Sequence, residues 1–294
     1  MPELPEVEAI ARALRDGGRG APSVLDRVIE EVQFDDPGII EGSAATVAAR
    51  RLRGARIEAV RRRAKYLLIG TSAGTLVAHL RMTGDLEVDD DVAEQLPYQR
   101  LRLALSGDLS LRFTDPRRLG KLWLTDDAAS VMGDLGPEPF DPALTAPLLR
   151  ERLAATTRTL KGALLDQRLL AGLGNIWADE ALHRARLHPE QPADSLDEEE
   201  AGRLLDGIRG ALEAGIEETT TELRWIHRAV PAAERDTEPP GRVHLREGAP
   251  CPTCGAAIER VRLAGRSTYF CPRCQAPTAR GSRRRAGARP RRAR

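Results

Sequence analysis

The sequence predicts an α+β protein of more than one domain. An antiparallel β-sandwich or barrel carrying an N-terminal helix comes first, and a helical region ending in a four-cysteine ribbon follows. Three observations predict this. Hydrophobic residues alternate with period two over residues 54–124, they take helical spacing over 147–215, and two Cys-x-x-Cys knuckles stand near the C-terminus. At 294 residues the chain is close to the length at which one core divides into two.

The first element is a helix. Val7, Ile10, Ala11 and Leu14 fall at i, i+3, i+4 and i+7, Pro5 suits a first helical position, and Gly17-Gly18 ends the run. Glu6 and Glu8 lie at its positive end, Arg12 and Arg15 at its negative end. Short strands are predicted at Arg56–Val60, Tyr66–Ile69, Thr75–Leu80, Leu101–Leu105, Leu109–Phe113 and Lys121–Leu124, parted by the turn signals Ser72-Ala-Gly74 and Ser106-Gly-Asp108. The breaker-rich Gly133–Phe140 marks a domain boundary. Helices are then predicted at Pro147–Ala154, Leu160–Leu170, Asn175–Arg186 and Asp197–Gly215, the last opened by a Ser195-to-Glu198 capping box. In the turn Ala171-Gly-Leu-Gly-Asn175, Asn175 suits an N-cap and the helix start suits a phosphate oxygen, although most such helix pairs only pack. Residues 231–242 lack periodicity and read as a mobile loop, and the chain beyond Ala276 reads as a disordered basic tail.

Charge sharpens the reading. The whole chain carries a formal +1, which at first argues against a polyanionic partner. Residues 1–240, however, hold 31 basic and 42 acidic side chains, whereas 241–294 hold 14 basic and 2 acidic. An acidic body is thus joined to a basic end. No apolar run is long enough for a membrane span, and the terminus Met1-Pro-Glu-Leu-Pro-Glu has acids where a signal peptide carries positive charge. A cytoplasmic protein is expected. Only Lys65, Lys121 and Lys161 are lysines among 45 cations. Coding bias toward Arg explains the ratio, yet a retained Lys can serve as an ammonium able to give up a proton.

Cys251-Pro-Thr-Cys254 and Cys271-Pro-Arg-Cys274, with sixteen residues between the knuckles, fit a closed tetrahedral site for one structural Zn²⁺. A redox pair would need a neighbouring βαβ unit, and disulfides would need an oxidising compartment. Between the knuckles, Arg260–Phe270 reads as a hairpin with Gly265-Arg266 at its turn, presenting Arg266 to a phosphate or simply capping the fold. At the other end, removal of Met1 would expose the secondary amine of Pro2, which can attack an aldehyde-level carbon. Glu3 could exchange protons beside it and Glu6 could orient the site. The residues alone favour a plainer reading, in which Pro2 and Pro5 stiffen the terminus and the acids complement the helix dipole.

The motifs Pro2-Glu-Leu-Pro-Glu-Val-Glu8, Arg62-Arg-Ala-Lys-Tyr-Leu-Leu68, His79-Leu-Arg-Met-Thr-Gly84, Thr114-Asp-Pro-Arg-Arg-Leu-Gly120, Leu135-Gly-Pro-Glu-Pro139, Leu164-Leu-Asp-Gln167 and Gly172-Leu-Gly-Asn-Ile176 precede the ribbon. In this order the chain resembles the formamidopyrimidine-DNA glycosylase / endonuclease VIII family over about residues 1–275, and its terminus resembles the formamidopyrimidine branch more. The resemblance implies a β-sandwich domain at 1–138, a helix-two-turn-helix domain at 139–228, a mobile loop at 229–242, a zinc finger at 243–275 and a basic tail at 276–294. It implies a monomer that acts on damaged double-stranded DNA, associated with the nucleoid in a bacterium, and no membrane partner. Pro2 would attack C1′, Glu3 would move the proton during base loss, Lys65 would assist β-elimination, and Arg266 would hold a phosphate and be linked to δ-elimination. Asn175 would hold a phosphate, with Lys161 a weaker candidate nearby. Met82, Arg117 and Leu119 match the residues that fill the void left by an extruded nucleotide.

Three departures stand out. Leu119 replaces an aromatic residue common in the family, which leaves an apolar wedge without a stacking face. Arg100 stands where a DNA-contacting His is common, and Thr219–Leu245, which includes the loop over the flipped base, matches poorly. The expected activity is that of a bifunctional glycosylase/AP lyase on 8-oxoguanine and formamidopyrimidines. The alternatives are the same chemistry on oxidised pyrimidines or abasic sites, and a non-catalytic protein that binds damaged DNA. A zinc-ribbon transcription or translation factor would explain residues 251–274 alone.

Overall fold

Leu101, Leu103 and Leu105 stand directly opposite Phe113, Leu111 and Leu109 on the neighbouring antiparallel strand, and all six are buried. Such cross-strand pairs are what period-two alternation produces when one face meets a core. The computed structural model describes residues 2–90, 95–221 and 241–277. In chain order the first elements are α1 (Leu4–Asp16), β1 (Ile29–Phe34), β2 (Ile40–Glu41), α2 (Ala45–Leu52), β3 (Ile57–Arg63), β4 (Tyr66–Thr71), β5 (Gly74–His79), β6 (Asp85–Asp90), β7 (Gln99–Leu105), β8 (Leu109–Thr114), β9 (Lys121–Thr125) and α3 (Ala128–Met132).

These strands form two sheets, in the orders β1-β7-β8-β6 and β2-β9-β5-β4-β3. All neighbours are antiparallel except β2 and β9. One apolar core takes Leu103, Leu111 and Phe113 from the first sheet, Val60, Leu67, Ile69 and Leu122 from the second, and Val7, Ile10 and Leu14 from α1. The sandwich expected from the sequence is therefore present, with α1 packed into it. The expected strands all occur. Three more, β1, β2 and β6, and the helices α2 and α3 were not foreseen.

The remaining elements are α4 (Ala146–Ala154), α5 (Leu160–Leu164), α6 (Asn175–Ala185), α7 (Glu198–Thr221), β10 (Glu259–Leu263) and β11 (Arg266–Phe270). Two details correct the sequence reading. The predicted helix 160–170 stops at Leu164, and Gln167 holds the following turn by donating to the carbonyls of Leu165 and Leu173 and accepting from Gly172. The capping box of α7 is Asp197/Glu200, each carboxylate accepting the other's amide at 2.9 and 3.1 Å, while Ser195 closes a 3₁₀ turn.

The chain divides into two compact units, Met1–Asp134 with Ile216–Asp236, and Leu135–Gly215 with Thr237–Arg294. Most of the expected loop 229–242 and tail 276–294 lies outside the described residues. Among the described residues, no helix is long and apolar enough to cross a membrane.

Candidate active site and four-cysteine ribbon

In the first unit, the start of α1 is folded inward. Pro2 is buried and Glu3, the N-cap of the helix, is 1% exposed. Glu3's backbone N–H donates to Glu6 Oε2 at 2.8 Å, which fixes the entry of the chain into the helix. Pro5 occupies the second helical position rather than the first, where its missing N–H still costs no helical bond. Glu6 thus orients the backbone that carries Pro2 and Glu3.

Lys65 sits on the two-residue turn of the β3–β4 hairpin, after Ala64 at φ 52°, and is 7% exposed. Arg62 ties this turn to α1. Its Nε donates to Glu8 Oε2 at 2.9 Å and its Nη1 to the Ala64 carbonyl at 3.1 Å. The N-terminal helix and the lysine turn are therefore braced by one arginine, its side chain 8% exposed. The partner strand ends in His79, opposite Tyr66, and the two rings meet edge to face at 4.7 Å.

His79 lies inside a quoted motif but was given no role from sequence. Burial, with Arg81 and Lys65 adding positive charge, holds its imidazole neutral by pushing its pKa down to about 4, and Nδ1 accepts the Arg81 amide at 3.1 Å. The unfolded chain binds a proton near pH 6.5 that the native state refuses until about pH 4. Stability should therefore fall as pH drops through that window, by up to about 3 kcal/mol from this group, and be insensitive to it above pH 7. Urea titrations of wild type and His79→Asn at pH 7.5 and 5 check this, the variant being expected to lose that part of the difference. Equal pH dependence in both chains would refute it.

Met82 and Leu119 are large apolar side chains left 40% and 41% exposed, and Arg117 is also exposed. They stand on the turn after β5 and on the β8–β9 loop. Arg100 is half-buried, with Nε donating to the Asp115 carbonyl at 2.9 Å, so part of its guanidinium supports the same loop.

In the second unit, the four sulfurs of Cys251, Cys254, Cys271 and Cys274 lie within 4.8 Å of one another, with Cys251–Cys274 at 3.9 Å and Cys254–Cys271 at 3.4 Å. A tetrahedral ion with sulfur ligands at about 2.3 Å requires sulfur separations of about 3.8 Å, so the donor set fits a closed metal site. The hairpin between the knuckles turns at Ala264-Gly265, both at positive φ, rather than at Gly265-Arg266. Arg266 opens β11, opposite Leu263, and is exposed.

Three models of known domains match the chain in order. They are the formamidopyrimidine-DNA glycosylase N-terminal domain over residues 1–122, the formamidopyrimidine-DNA glycosylase H2TH domain over 135–225, and the zinc finger found in FPG and IleRS over 248–277. The chain belongs to the formamidopyrimidine-DNA glycosylase family. The formamidopyrimidine-DNA glycosylase of Desulfitobacterium hafniense is 41% identical over 281 residues, covering 94% of this chain and 100% of that protein. The Lactococcus lactis enzyme, solved non-covalently bound to DNA containing an AP site, aligns at TM-score 0.79 and 30% identity, covering 94% of this chain and 100% of the other. MutM in complex with DNA containing carbocyclic 8-oxo-G aligns at 0.81 and 32%, with the same coverage.

Within this family frame the second unit corrects one expectation. Lys161 was expected to face DNA, yet it is 0% exposed, paired with Asp179 Oδ1 and donating to the Asn175 carbonyl. Asp179 Oδ2 contacts His244 Nδ1 at 2.7 Å, so the lysine belongs to a buried network under the ribbon and cannot reach a phosphate. Asn175 is the first residue of α6 rather than its cap, a position that falls to Gly174. Its Nδ2 donates to the carbonyl of Ser267, the residue after Arg266, so the two expected phosphate contacts stand on adjoining backbone.

Proposed function

We propose that this chain is a base-excision repair glycosylase and AP lyase that removes oxidised purines, 8-oxoguanine and formamidopyrimidines, through a Pro2 Schiff base and cuts the strand by β,δ-elimination. The carrying observation is the buried Pro2-Glu3 pair, fixed by Glu6 at the start of α1 and braced through Arg62 to the turn that carries Lys65. Binding alone needs no enclosed terminal amine. Once Met1 is removed, the Pro2 nitrogen forms a bond to C1′ of the damaged nucleotide while the C1′–base bond breaks. Glu3 supplies the proton that the departing base carries away, then takes the proton from the Pro2 nitrogen and passes it to O4′ as the sugar ring opens to the iminium. The iminium then acidifies C2′–H. Lys65 would assist as that proton leaves and the 3′ phosphate is expelled, a second elimination expels the 5′ phosphate, and water then hydrolyses the unsaturated sugar fragment off Pro2.

Asn175 and Arg266 would hold phosphates, and Met82, Arg117 and Leu119 would occupy the space of the extruded nucleotide. The four cysteines would hold one Zn²⁺, whose chemistry is structural because thiolates fill every position. Leu119 favours a second reading. An aliphatic wedge offers no stacking face, and the same chemistry directed at oxidised pyrimidines or bare abasic sites is the reading that follows from it.

Borohydride reduction during reaction with abasic-site duplex is expected to trap a covalent adduct in wild type, and trapping should fall sharply in Pro2→Gln, where the larger second residue retains Met1 and carries the terminal amine one residue away from C1′. Trapping unchanged in the variant would remove Pro2 as nucleophile. Tight, salt-sensitive binding without trapping or nicking would support a non-catalytic protein instead. Cleavage rates on 8-oxoguanine, formamidopyrimidine, thymine glycol and abasic duplexes separate the substrate readings.

A further inference from the structure

The loops that carry Met82, Arg117 and Leu119 share a buried carboxylate anchor. Asp115 is fully buried, and its two carboxylate oxygens accept from four donors. Oδ1 takes the Thr83 hydroxyl and the Arg117 amide at 3.1 Å, and Oδ2 takes the amides of Leu119 at 2.8 Å and Gly120 at 2.7 Å. Its own backbone is held as well. The amide donates to Tyr98 at 3.0 Å, and the carbonyl accepts from Arg100 Nε at 2.9 Å and from Arg118 at 3.3 Å.

Thr83 directly follows Met82, so the carboxylate joins the turn after β5 to the β8–β9 loop. The Phe113 ring is a second seat common to both. A side-chain carbon on Gly84 would lie 2.8 Å from its Cζ, and one on Gly120 would lie 2.5 Å from it, so both loops close on this ring only because those residues are glycines. Neither loop can shift without disturbing the anchor of the other.

We infer that Asp115 is a positioning residue that sets both loops as one rigid wedge, so that Met82, Arg117 and Leu119 enter the duplex together. The inference rests on the proposed DNA-repair reading for what the wedge enters, and on geometry alone for the coupling. A carboxylate suits the task because all four of these groups donate and its two oxygens accept. Asparagine keeps the shape but turns a donor toward one pair of donors, either Thr83 and Arg117 or Leu119 and Gly120.

The test compares wild type, Asp115→Asn and the near-isosteric Thr83→Val, which removes only the link between loops. Three readouts are taken: single-turnover base release from a lesion duplex, borohydride trapping on single-stranded abasic DNA, and fluorescence of 2-aminopurine opposite a tetrahydrofuran site. Single-stranded DNA has no void to fill, so a general loss of structure lowers trapping there, whereas a misplaced wedge does not. Asp115→Asn is expected to slow duplex base release by about tenfold to a hundredfold, as for a misplacement of roughly 1 Å. It should also lose the 2-aminopurine response and keep single-stranded trapping. Thr83→Val should show a smaller loss of the same kind, and the double variant less than the combined effect.

Equal losses on single- and double-stranded DNA, or none, would overturn the inference. If Asp115→Asn fails to fold, Thr83→Val decides alone: the duplex-only loss supports the coupling, and wild-type behaviour refutes it. A wild-type chain that brightens 2-aminopurine but neither traps nor releases a base would sink the catalytic reading, while the variants' fluorescence would still decide the wedge.

Discussion

Glu3→Gln is expected to slow release of a damaged base by about a hundredfold to ten-thousandfold while leaving cleavage of a preformed abasic site within a few-fold of wild type. The substitution is nearly isosteric, and the backbone N–H of residue 3 keeps its bond to Glu6 Oε2, so the start of α1 and the position of Pro2 are retained. What disappears is a group able to give a proton to the leaving base and to move one from the Pro2 nitrogen to O4′ of the opening sugar. An abasic site has already lost its base, so imine formation at C1′ needs the Pro2 amine more than it needs Glu3. Single-turnover rates on matched lesion and abasic duplexes check this division. Equal losses on both substrates would assign Glu3 to holding the helix start. No loss on either would leave base departure to another acid.

Legibility in the sequence followed burial. Val7, Ile10, Ala11 and Leu14 were spaced for a helix and are all buried in the sandwich core or beside it. The strands that were foreseen bring continuous apolar pairs to that core. Those missed, β1, β2 and β6, are each at the edge of a sheet. Ile-Glu-Glu-Val-Gln-Phe and Asp-Leu-Glu-Val-Asp-Asp carry many charges, which suits an edge that must not pair further but weakens the alternation.

The site was legible where one residue type carries the chemistry. Two Cys-x-x-Cys knuckles announce a metal site, and their four sulfurs do cluster, whereas Pro2 beside Glu3 reads from the residues alone as a stiffened terminus and imine chemistry enters only with the family resemblance. The groups that position these residues were not legible, because their partners are distant or lie on the backbone. Asp115 meets Thr83 across 32 positions and otherwise binds amides that any sequence supplies. Lys161 looked like a cation beside DNA-binding helices because nothing in the sequence pairs it with Asp179 on the next helix.

Stripping the metal should unfold the ribbon and uncover one face of α6. The ribbon has a small apolar core of Val243, Ile258 and Tyr269 around Cys251 and Cys271, too little to hold its own fold. Structural zinc sites of this kind contribute about 10–16 kcal/mol of apparent binding free energy, far above what such a core supplies. The ribbon's entry also depends on α6. Glu180 accepts the amides of Arg242, Val243 and His244 at 2.7, 2.9 and 2.9 Å, and Gly241, at φ 92°, lies so close that a side-chain carbon there would be 2.5 Å from Glu180 Cδ. His183 Nε2 touches Cys251 Sγ at 3.4 Å. Chelation should therefore release one equivalent of zinc and abolish hydrogen-exchange protection at residues 242–244 and 259–270. Protection in β7 and β8, which depend on their own apolar core, should persist. Glu180→Gln keeps the four thiolates but weakens the cradle, so its metal should leave faster under the same chelator. Protection of 259–270 that survives complete metal loss would show that α6, rather than the ion, carries the ribbon.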